Sequence, residues 1–136
     1  MKIATYLSFP GTCEEALDLY AKTLGARVTF KQTFAGSPMA DQAPSGWENK
    51  IMHESITVGA FTLMGSDAPP DRYQVPQGTY VSLAVDAPEE GQRIFDALSQ
   101  GGQVQMPYQK TYWASGFGMF VDRFGTPWMV NCEQPS

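Results

Sequence analysis

The chain has 136 residues, of which 43% are hydrophobic and 17% charged, so it can bury the core of one domain and lacks the composition of a disordered segment. A formal net charge of −5 with nine Lys and Arg residues argues against binding to nucleic acid or to an anionic membrane surface. No apolar run approaches the ~20 residues that cross a bilayer. The first residues alternate like a strand rather than forming a signal peptide. We therefore expect a cytoplasmic protein.

The first half of the chain predicts a strand, a helix and three more strands. Residues 2–9 have strand character. A capping box from Thr12 to Glu15 predicts the start of the helix, and Gly25 predicts its end. The three strands that follow are predicted at 27–34, 50–58 and 61–66.

The second half of the chain repeats this order after a proline-rich segment at 67–77, which we interpret as a linker. The repeat consists of a strand at 79–86, a helix at 88–102, an irregular strand within 103–113, and strands at 116–122 and 126–133. This predicts an α+β fold of two fused βαβββ modules, at about 1–66 and 78–134, that form curved mixed sheets with helices outside. The alternative is an ordinary α+β domain whose order repeats by chance.

Two cysteines and three charged residues are predicted to have structural roles. Cys13 and Cys132 are isolated thiols without a paired His, so we expect them to be reduced. Cys13 falls in the first turn of a helix, which can lower a thiol pKa, but a buried residue is the favoured interpretation. Asp86 is predicted to cap the second helix, and Asp122 with Arg123 to form a turn and a surface ion pair.

Period-two alternation separates each predicted sheet into two faces. A turn at Gly59–Ala60 would pair Val58 with Phe61, Ile56 with Leu63 and Ser55 with Met64. One face is then apolar, with Glu54 as an exception. The other is a mixture that suits the lining of a cavity, although a dimer interface or solvent would also explain it. Its residues are His53, Ser55, Thr57, Thr62, Met64 and Ser66. In the second module the corresponding face carries Tyr80, Ser82, Ala84, Met129 and Asn131.

Several segments resemble one family over nearly the whole chain. They are EEALDLYAKTLGARV, KIMHESITVG, FTLMGSD, YVSLAVD and FGMFVDRFGTPWMVN. The sequence resembles the glyoxalase/bleomycin-resistance/extradiol-dioxygenase (vicinal oxygen chelate) superfamily, and within it the PhnB-like branch. The resemblance implies paired βαβββ modules, a homodimer, and sites in the concavities of the sheets. Some PhnB-like proteins are described as 3-demethylubiquinone methyltransferases, but the chain has no Gly-rich turn after a strand that would hold an adenosyl cofactor.

The metal ligands of the family do not carry over to this chain. The resemblance places the four ligand positions at or within one residue of Thr5, Met64, Tyr80 and Met129. Thioethers are soft, and neutral hydroxyls are poor ligands for a hard divalent ion. We therefore predict no divalent metal and no cofactor, and we expect neither glyoxalase nor dioxygenase chemistry of the metal-dependent kind.

His53, the only histidine, is the candidate catalytic residue. It could act as a general base toward a bound small molecule, but the sequence shows no partner to orient it. The favoured alternative is a structural histidine whose ring nitrogens bond to backbone or to Ser55.

Aromatic and methionine side chains near the sixth and seventh strands form a second candidate site. They are Tyr108, Tyr112, Trp113, Phe117 and Met119. Such side chains can stack on a flat ligand, but they are equally typical of a core or a dimer interface. The full set of predicted ligand-binding residues is Thr5, Ser55, Met64, Tyr80, Ser82, Trp113, Phe117, Met119, Met129 and Asn131.

Three functions remain open from the sequence. The chain could bind a small, partly aromatic molecule without catalysis. It could be a metal-independent enzyme with His53 as base. It could also be a dimeric scaffold without a ligand. A ligand that raises the thermal stability would separate the first from the third, and His53→Ala would separate the first from the second.

Overall fold

The computed structural model describes residues 1–135 and divides the chain into two compact units, 1–74 and 75 onward. Each unit has the order strand, helix, strand, strand, strand, so the predicted pair of βαβββ modules is confirmed. The first unit contains β1 (Thr5–Phe9), α1 (Cys13–Leu24), β2 (Arg27–Thr33), a 3₁₀ turn (Ala40–Gln42), β3 (Ile51–Val58) and β4 (Phe61–Asp67). The second contains β5 (Val81–Val85), α2 (Pro88–Ser99), β6 (Gln103–Gln109), β7 (Ala114–Val121) and β8 (Pro127–Glu133).

Each unit has one mixed four-stranded sheet. The strand orders are β1-β4-β3-β2 and β5-β8-β7-β6. In the first sheet β1 pairs in parallel with β4, and in the second β5 pairs in parallel with β8. The predicted hairpin register of β3 and β4 is confirmed, with the pairs Val58–Phe61, Ile56–Leu63 and Ser55–Met64. Gly59 turns this hairpin with a φ of +56°, a conformation that glycine adopts at little cost. None of the helices in residues 1–135 is long and apolar enough to cross a membrane.

One face of the first sheet packs under α1. Leu17 and Tyr20 of the helix are fully buried, as is Phe9 of β1, while Ile56 of β3 is 2% exposed. Burying side chains of this size contributes roughly 1.5–3 kcal/mol each. We call this the helix face of the sheet, and the other side the opposite face. The second sheet is built in the same way, with Trp128 and Val130 fully buried on its helix face.

The start of α1 is held by Asp67, and the side chain of Thr12, the predicted cap, makes no capping hydrogen bond. Thr12 precedes the helix without a side-chain cap, and its buried Oγ1 has no hydrogen-bond partner in the described part of the chain. The carboxylate of Asp67, at the end of β4, accepts hydrogen bonds from the backbone N–H groups of Gly11 (3.0 Å) and Cys13 (2.9 Å) through one oxygen. Its other oxygen accepts from the N–H of Ile51 at 2.8 Å. One carboxylate therefore joins the ends of β1 and β4, the start of β3 and the N-terminus of the helix.

Asp122 plays a comparable role in the second unit. It was predicted at a surface turn, but it is 4% exposed, so the surface position is wrong. Its carboxylate accepts from the N–H groups of Phe124 and Thr126 and from the indole N–H of Trp128, each at 2.9 Å. Arg123 lies over the ring of Phe124, 4.6 Å from its centroid. The turn between β7 and β8 is therefore organised around a buried carboxylate.

The second helix starts where predicted but differs from prediction in its capping residue and at its C-terminal end. It is preceded by Ala87, without a side-chain cap, so the predicted capping by Asp86 is wrong. Pro88 starts the helix as expected, where its missing N–H costs nothing. The helix ends at Ser99, whereas 102 was predicted.

Tyr108 lies against the helix and away from any ligand face. Its hydroxyl donates to the carbonyl of Pro88 at 2.8 Å, and its ring contacts Phe95. A Cβ at Gly91 or Gly116 would overlap the phenol group. These two glycines therefore form a slot that the Tyr108 ring fills, and the predicted ligand-stacking role for Tyr108 is not supported.

We expect Asp67→Ala to lower the free energy of unfolding by about 2–4 kcal/mol, because three backbone donors lose their acceptor and two of them are buried. The free energy of unfolding of Asp67→Asn should lie between those of Asp67→Ala and the wild type, because the amide keeps one acceptor oxygen. Urea unfolding followed by circular dichroism measures these changes. The control is Asp71→Ala at an exposed position. Values for both Asp67 variants within 0.5 kcal/mol of wild type, the ordinary range for surface changes, would show that the anchor is unimportant.

Candidate functional site

The opposite face of the first sheet brings together side chains from three neighbouring strands. Leu7 and Phe9 are buried on the helix face, so Tyr6 between them projects from the other side. Tyr6 is paired with Met64 on β4, and Met64 is paired with Ser55 on β3. Tyr6 is 49% exposed and Ser55 9%. The predicted residues Ser55 and Met64 therefore stand side by side, next to a tyrosine that the sequence analysis did not select.

Thr5 is placed differently from its prediction. It pairs with Leu63, which lies on the helix face, and it shares the alternation of Leu7 and Phe9. Tyr6, one position further along β1, occupies the place beside Met64. In the sequence, the apolar residues Leu7 and Phe9 stand two positions apart, which predicts that they share a buried face. This spacing could have identified Tyr6 as a residue of the other face.

His53 is held from both ring nitrogens. Its Nδ1 lies 3.0 Å from the hydroxyl of Tyr6, and its Nε2 lies 3.2 Å from Oγ of Ser55. The ring also stacks on Tyr6 with centroids 5.5 Å apart, and Phe30 lies at the same centroid distance. The histidine thus has the orienting partner that the sequence did not show, and the predicted contact with Ser55 is present.

The chain of hydrogen bonds from Tyr6 through His53 to Ser55 has two proton arrangements. In one, the tyrosine donates to Nδ1 and the imidazole donates to Ser55. In the other, the serine donates to Nε2 and the imidazole donates to the tyrosine. Because both ring nitrogens are hydrogen-bonded, another molecule could bond to the imidazole only by displacing Tyr6 or Ser55.

The opposite face of the second sheet carries two rows of side chains that cross the strands. One row runs from Ser82 through Met129 and Met119 to Met106. The other runs from Ala84 through Asn131 and Phe117 to Gln109. Five of the predicted ligand-binding residues are therefore neighbours on one surface, and Met106, which was not predicted, extends it.

Aromatic side chains border this surface. Trp113 is 46% exposed, and its ring lies 5.6 Å from that of Phe117 in an edge-on arrangement. Tyr112 is 90% exposed and contacts Trp113. Tyr80 precedes β5, and its hydroxyl donates to the side chain of Gln105 at 3.0 Å. The aromatic residues predicted near the sixth and seventh strands thus lie on or beside the two rows, with the exception of Tyr108.

The side chains present do not fit the divalent metal that the family fold implies. Within residues 1–135, no three His, Cys, Asp or Glu side chains come together as ligands. The positions where the first and fourth strands of each unit meet carry Tyr6 with Met64, and Ser82 with Met129. These donors are neutral hydroxyls and soft thioethers, which bind hard divalent ions weakly.

Two other titratable groups of the first unit, Cys13 and Glu54, have raised pKa values. Burial raises the pKa of the Cys13 thiol, and the carboxylates of Asp67 and Glu54 raise it further. A thiol held in its neutral form is a poor nucleophile, in agreement with the structural role expected for Cys13.

Glu54 is fully buried beneath α1, and its carboxyl oxygens have no hydrogen-bond partner within residues 1–135. Burial raises the pKa of Glu54 to about 8, the nearby carboxylate of Asp18 adds to this increase, and Lys31 opposes it. Lys31 itself bonds to Glu14 at 3.1 Å and to Asp18 at 3.2 Å, so its charge is shared with the helix. Glu54 is therefore mostly protonated at neutral pH.

The stability of the protein should fall as the pH rises from about 5 to 8, in part because of Glu54. The unfolded chain releases the proton near the ordinary pKa of 4.5, while the folded chain retains it to about 8. Glu54→Gln carries no such proton, so its stability relative to wild type should increase across this range by roughly 3–4 kcal/mol and level off above it. Urea unfolding at a series of pH values measures the difference. The exposed Glu89→Gln is the control, and a pH-independent difference for Glu54→Gln would contradict the assignment.

Comparison with known proteins identifies the family. The family model described as the Glyoxalase/Bleomycin resistance protein/Dioxygenase superfamily matches residues 2–130. The chain therefore belongs to this superfamily, and its two four-stranded units are the two modules of that fold.

Individual relatives agree with this assignment. Protein YjdN of Escherichia coli (strain K12) is 37% identical over a 146-residue alignment that covers 100% of this chain and 99% of YjdN. The crystal structure of protein PA1353 from Pseudomonas aeruginosa is 46% identical, with a TM-score of 0.90 and 99% of each chain covered. The PhnB protein from Bacillus cereus, described as a putative 3-demethylubiquinone-9 3-methyltransferase, shares the fold at 22% identity, with a TM-score of 0.82 and 97% and 99% coverage. The chain thus has PhnB-like neighbours, as its sequence indicated.

Proposed function

We propose that this chain binds a small, partly aromatic organic molecule on the opposite face of the second sheet, without a divalent metal. The observation that carries the proposal is the pair of cross-strand rows, in which Phe117, Met119 and Met129 lie beside Ser82 and Asn131. A mostly apolar surface with a few polar groups is the usual composition of a small-molecule site.

The side chains of this face have complementary roles in binding. Phe117 and Trp113 supply aromatic surface for a flat ring, and the thioethers adapt to its outline. The amide of Asn131 offers both a donor and an acceptor, and Ser82 offers a hydroxyl. These polar groups would fix the orientation of a ligand that the apolar groups hold.

The absence of a divalent metal from this function is supported by the chemistry of the side chains that pair between the first and fourth strands of each unit. Between β1 and β4, and again between β5 and β8, a hydroxyl is paired with a thioether. Neither group is an anionic donor of the kind that a hard cation needs. Homodimer formation and a cytoplasmic location stay predictions from the sequence and its resemblance.

A thermal-shift panel of small bicyclic aromatic compounds, such as naphthols, quinolines and indoles, tests the binding function. A compound at 100 times its dissociation constant should stabilise the protein by about 2.7 kcal/mol. Phe117→Ala should weaken its binding about tenfold or more, because the loss of a buried aromatic contact costs on the order of 1.4 kcal/mol or above.

The matched control is Phe61→Ala, which removes an aromatic ring that is 77% exposed in the first unit. If no compound shifts the melting temperature, the protein is better described as a scaffold without a ligand. Binding that Phe117→Ala leaves unchanged would place the site elsewhere.

The chain of hydrogen bonds from Tyr6 through His53 to Ser55 favours a second candidate function, a metal-independent enzyme with His53 as general base. An oriented imidazole can take a proton from a bound weak acid, once Ser55 or Tyr6 yields its hydrogen bond.

Incubation of the same panel with the protein, followed by ¹H NMR, detects any conversion. The enzyme hypothesis predicts that conversion is lost in His53→Ala, while binding to the second sheet is retained. Conversion that persists in His53→Ala would exclude the histidine as the base.

A further inference from the structure

Three methionines form a continuous line across the second sheet. Met119 on β7 is paired with Met106 on β6 and with Met129 on β8. Residues directly opposite each other in antiparallel strands have Cβ atoms about 4.5–5.5 Å apart, with their side chains on the same face. Met119 therefore has a methionine as its cross-strand neighbour on each side, and Met106 occupies its place between two register shifts of β6.

The three side chains are half-buried on the face away from α2. They are three of the seven methionines in the chain. The helix face of the same strands is filled instead by Phe120, Trp128 and Val130, which are all fully buried. The methionine row is thus accessible to a ligand and does not form the packed core of the unit.

A cluster of neutral thioethers has a specific ligand preference. Sulfur in methionine is soft and binds Cu(I), whereas hard divalent ions prefer oxygen and nitrogen donors. A monovalent ion also places only a single positive charge on this partly desolvated surface, which is less costly than two. The flexible methionine side chain can adjust its three torsions to bring its sulfur onto an ion.

We propose that Met106, Met119 and Met129 form a binding site for Cu(I) or another soft monovalent ion, coordinated by their three thioether sulfurs. The site requires no change in the oxidation state of the ion, which exchanges its weakly held solvent ligands for sulfur. The ion site lies on the same face as the proposed organic-ligand site. It is independent of that function, because the ion would be bound by sulfur atoms and the organic molecule by apolar surface.

The two free thiols are the competing soft ligands. Cys13 lies in the first unit, and Cys132 alternates with Met129 and Asn131 on β8, so its side chain points to the helix face. Both are buried. The test therefore uses Cys13→Ala/Cys132→Ala protein as the reference background, next to the wild type.

The experiment is a titration with Ag(I), a redox-stable analogue of Cu(I), in chloride-free nitrate buffer, monitored by calorimetry and native mass spectrometry. We expect one Ag(I) per chain. Met119→Leu, which conserves side-chain volume and removes the central sulfur, should weaken binding by at least about tenfold, the loss that even indirect changes at metal sites produce. Met39→Leu and Met52→Leu are the matched controls and should bind as the reference does.

A second measurement does not depend on any variant of the row. With ¹³C-methyl methionine, the methyl signals of Met106, Met119 and Met129 should shift on addition of one equivalent of Ag(I), and the other methionine signals should not. The inference is overturned if these three signals stay in place, or if Met119→Leu binds Ag(I) as tightly as its background. Phe117→Ala, which keeps all three sulfur atoms, should still bind Ag(I) as the reference does, so failure of the organic-ligand proposal leaves this one testable.

Discussion

The constraint on which the structure depends is that each sheet buries one face beneath a single helix. Successive residues of a strand point to opposite sides, so burial of every second residue determines which side chains remain available. In β1, the burial of Leu7 and Phe9 leaves Tyr6 on the opposite face. In β8, the burial of Trp128 and Val130 leaves Met129 and Asn131 there. The chemistry open to the protein is therefore a consequence of how its core is packed.

The buried carboxyl groups serve this packing in different ways. Asp67 and Asp122 accept hydrogen bonds from backbone and indole N–H groups, so their charges are compensated where loops meet the sheets. Glu54 has no such donor among residues 1–135, and its raised pKa means that it avoids the cost of burial by retaining a proton. The available faces by contrast offer phenol, imidazole, hydroxyl, amide and thioether groups. This set of donors suits an organic molecule or a soft ion better than a hard divalent metal.

Local sequence patterns predicted much of this architecture. The alternation around Gly59 gave the correct β3–β4 register, and α1 ends at Gly25 as expected. The capping of α1 could not be found in the same way, because Asp67 lies 54 residues from Cys13 in the chain. Its role depends on the parallel pairing of β1 with β4, which only the fold creates.

In the candidate sites, too, local patterns predicted some residues, whereas other contacts arise only in the folded chain. Ser82, Met129 and Asn131 were predicted from alternation alone, whereas Tyr6 is separated by 47 residues from the histidine it contacts. Met106 was missed because β6 contains register shifts on both sides of it, and these obscure the period-two pattern. The sequence also could not show that Tyr108 fills a slot between glycines of α2 and β7.

The chain has the fold of the glyoxalase/bleomycin-resistance superfamily, and we propose that it functions without a divalent metal. The most direct test is elemental analysis of the purified protein, before and after incubation with zinc, nickel, iron and manganese salts followed by desalting. The account predicts that each of these metals stays well below one equivalent per chain. One tightly bound equivalent of any of them would contradict it.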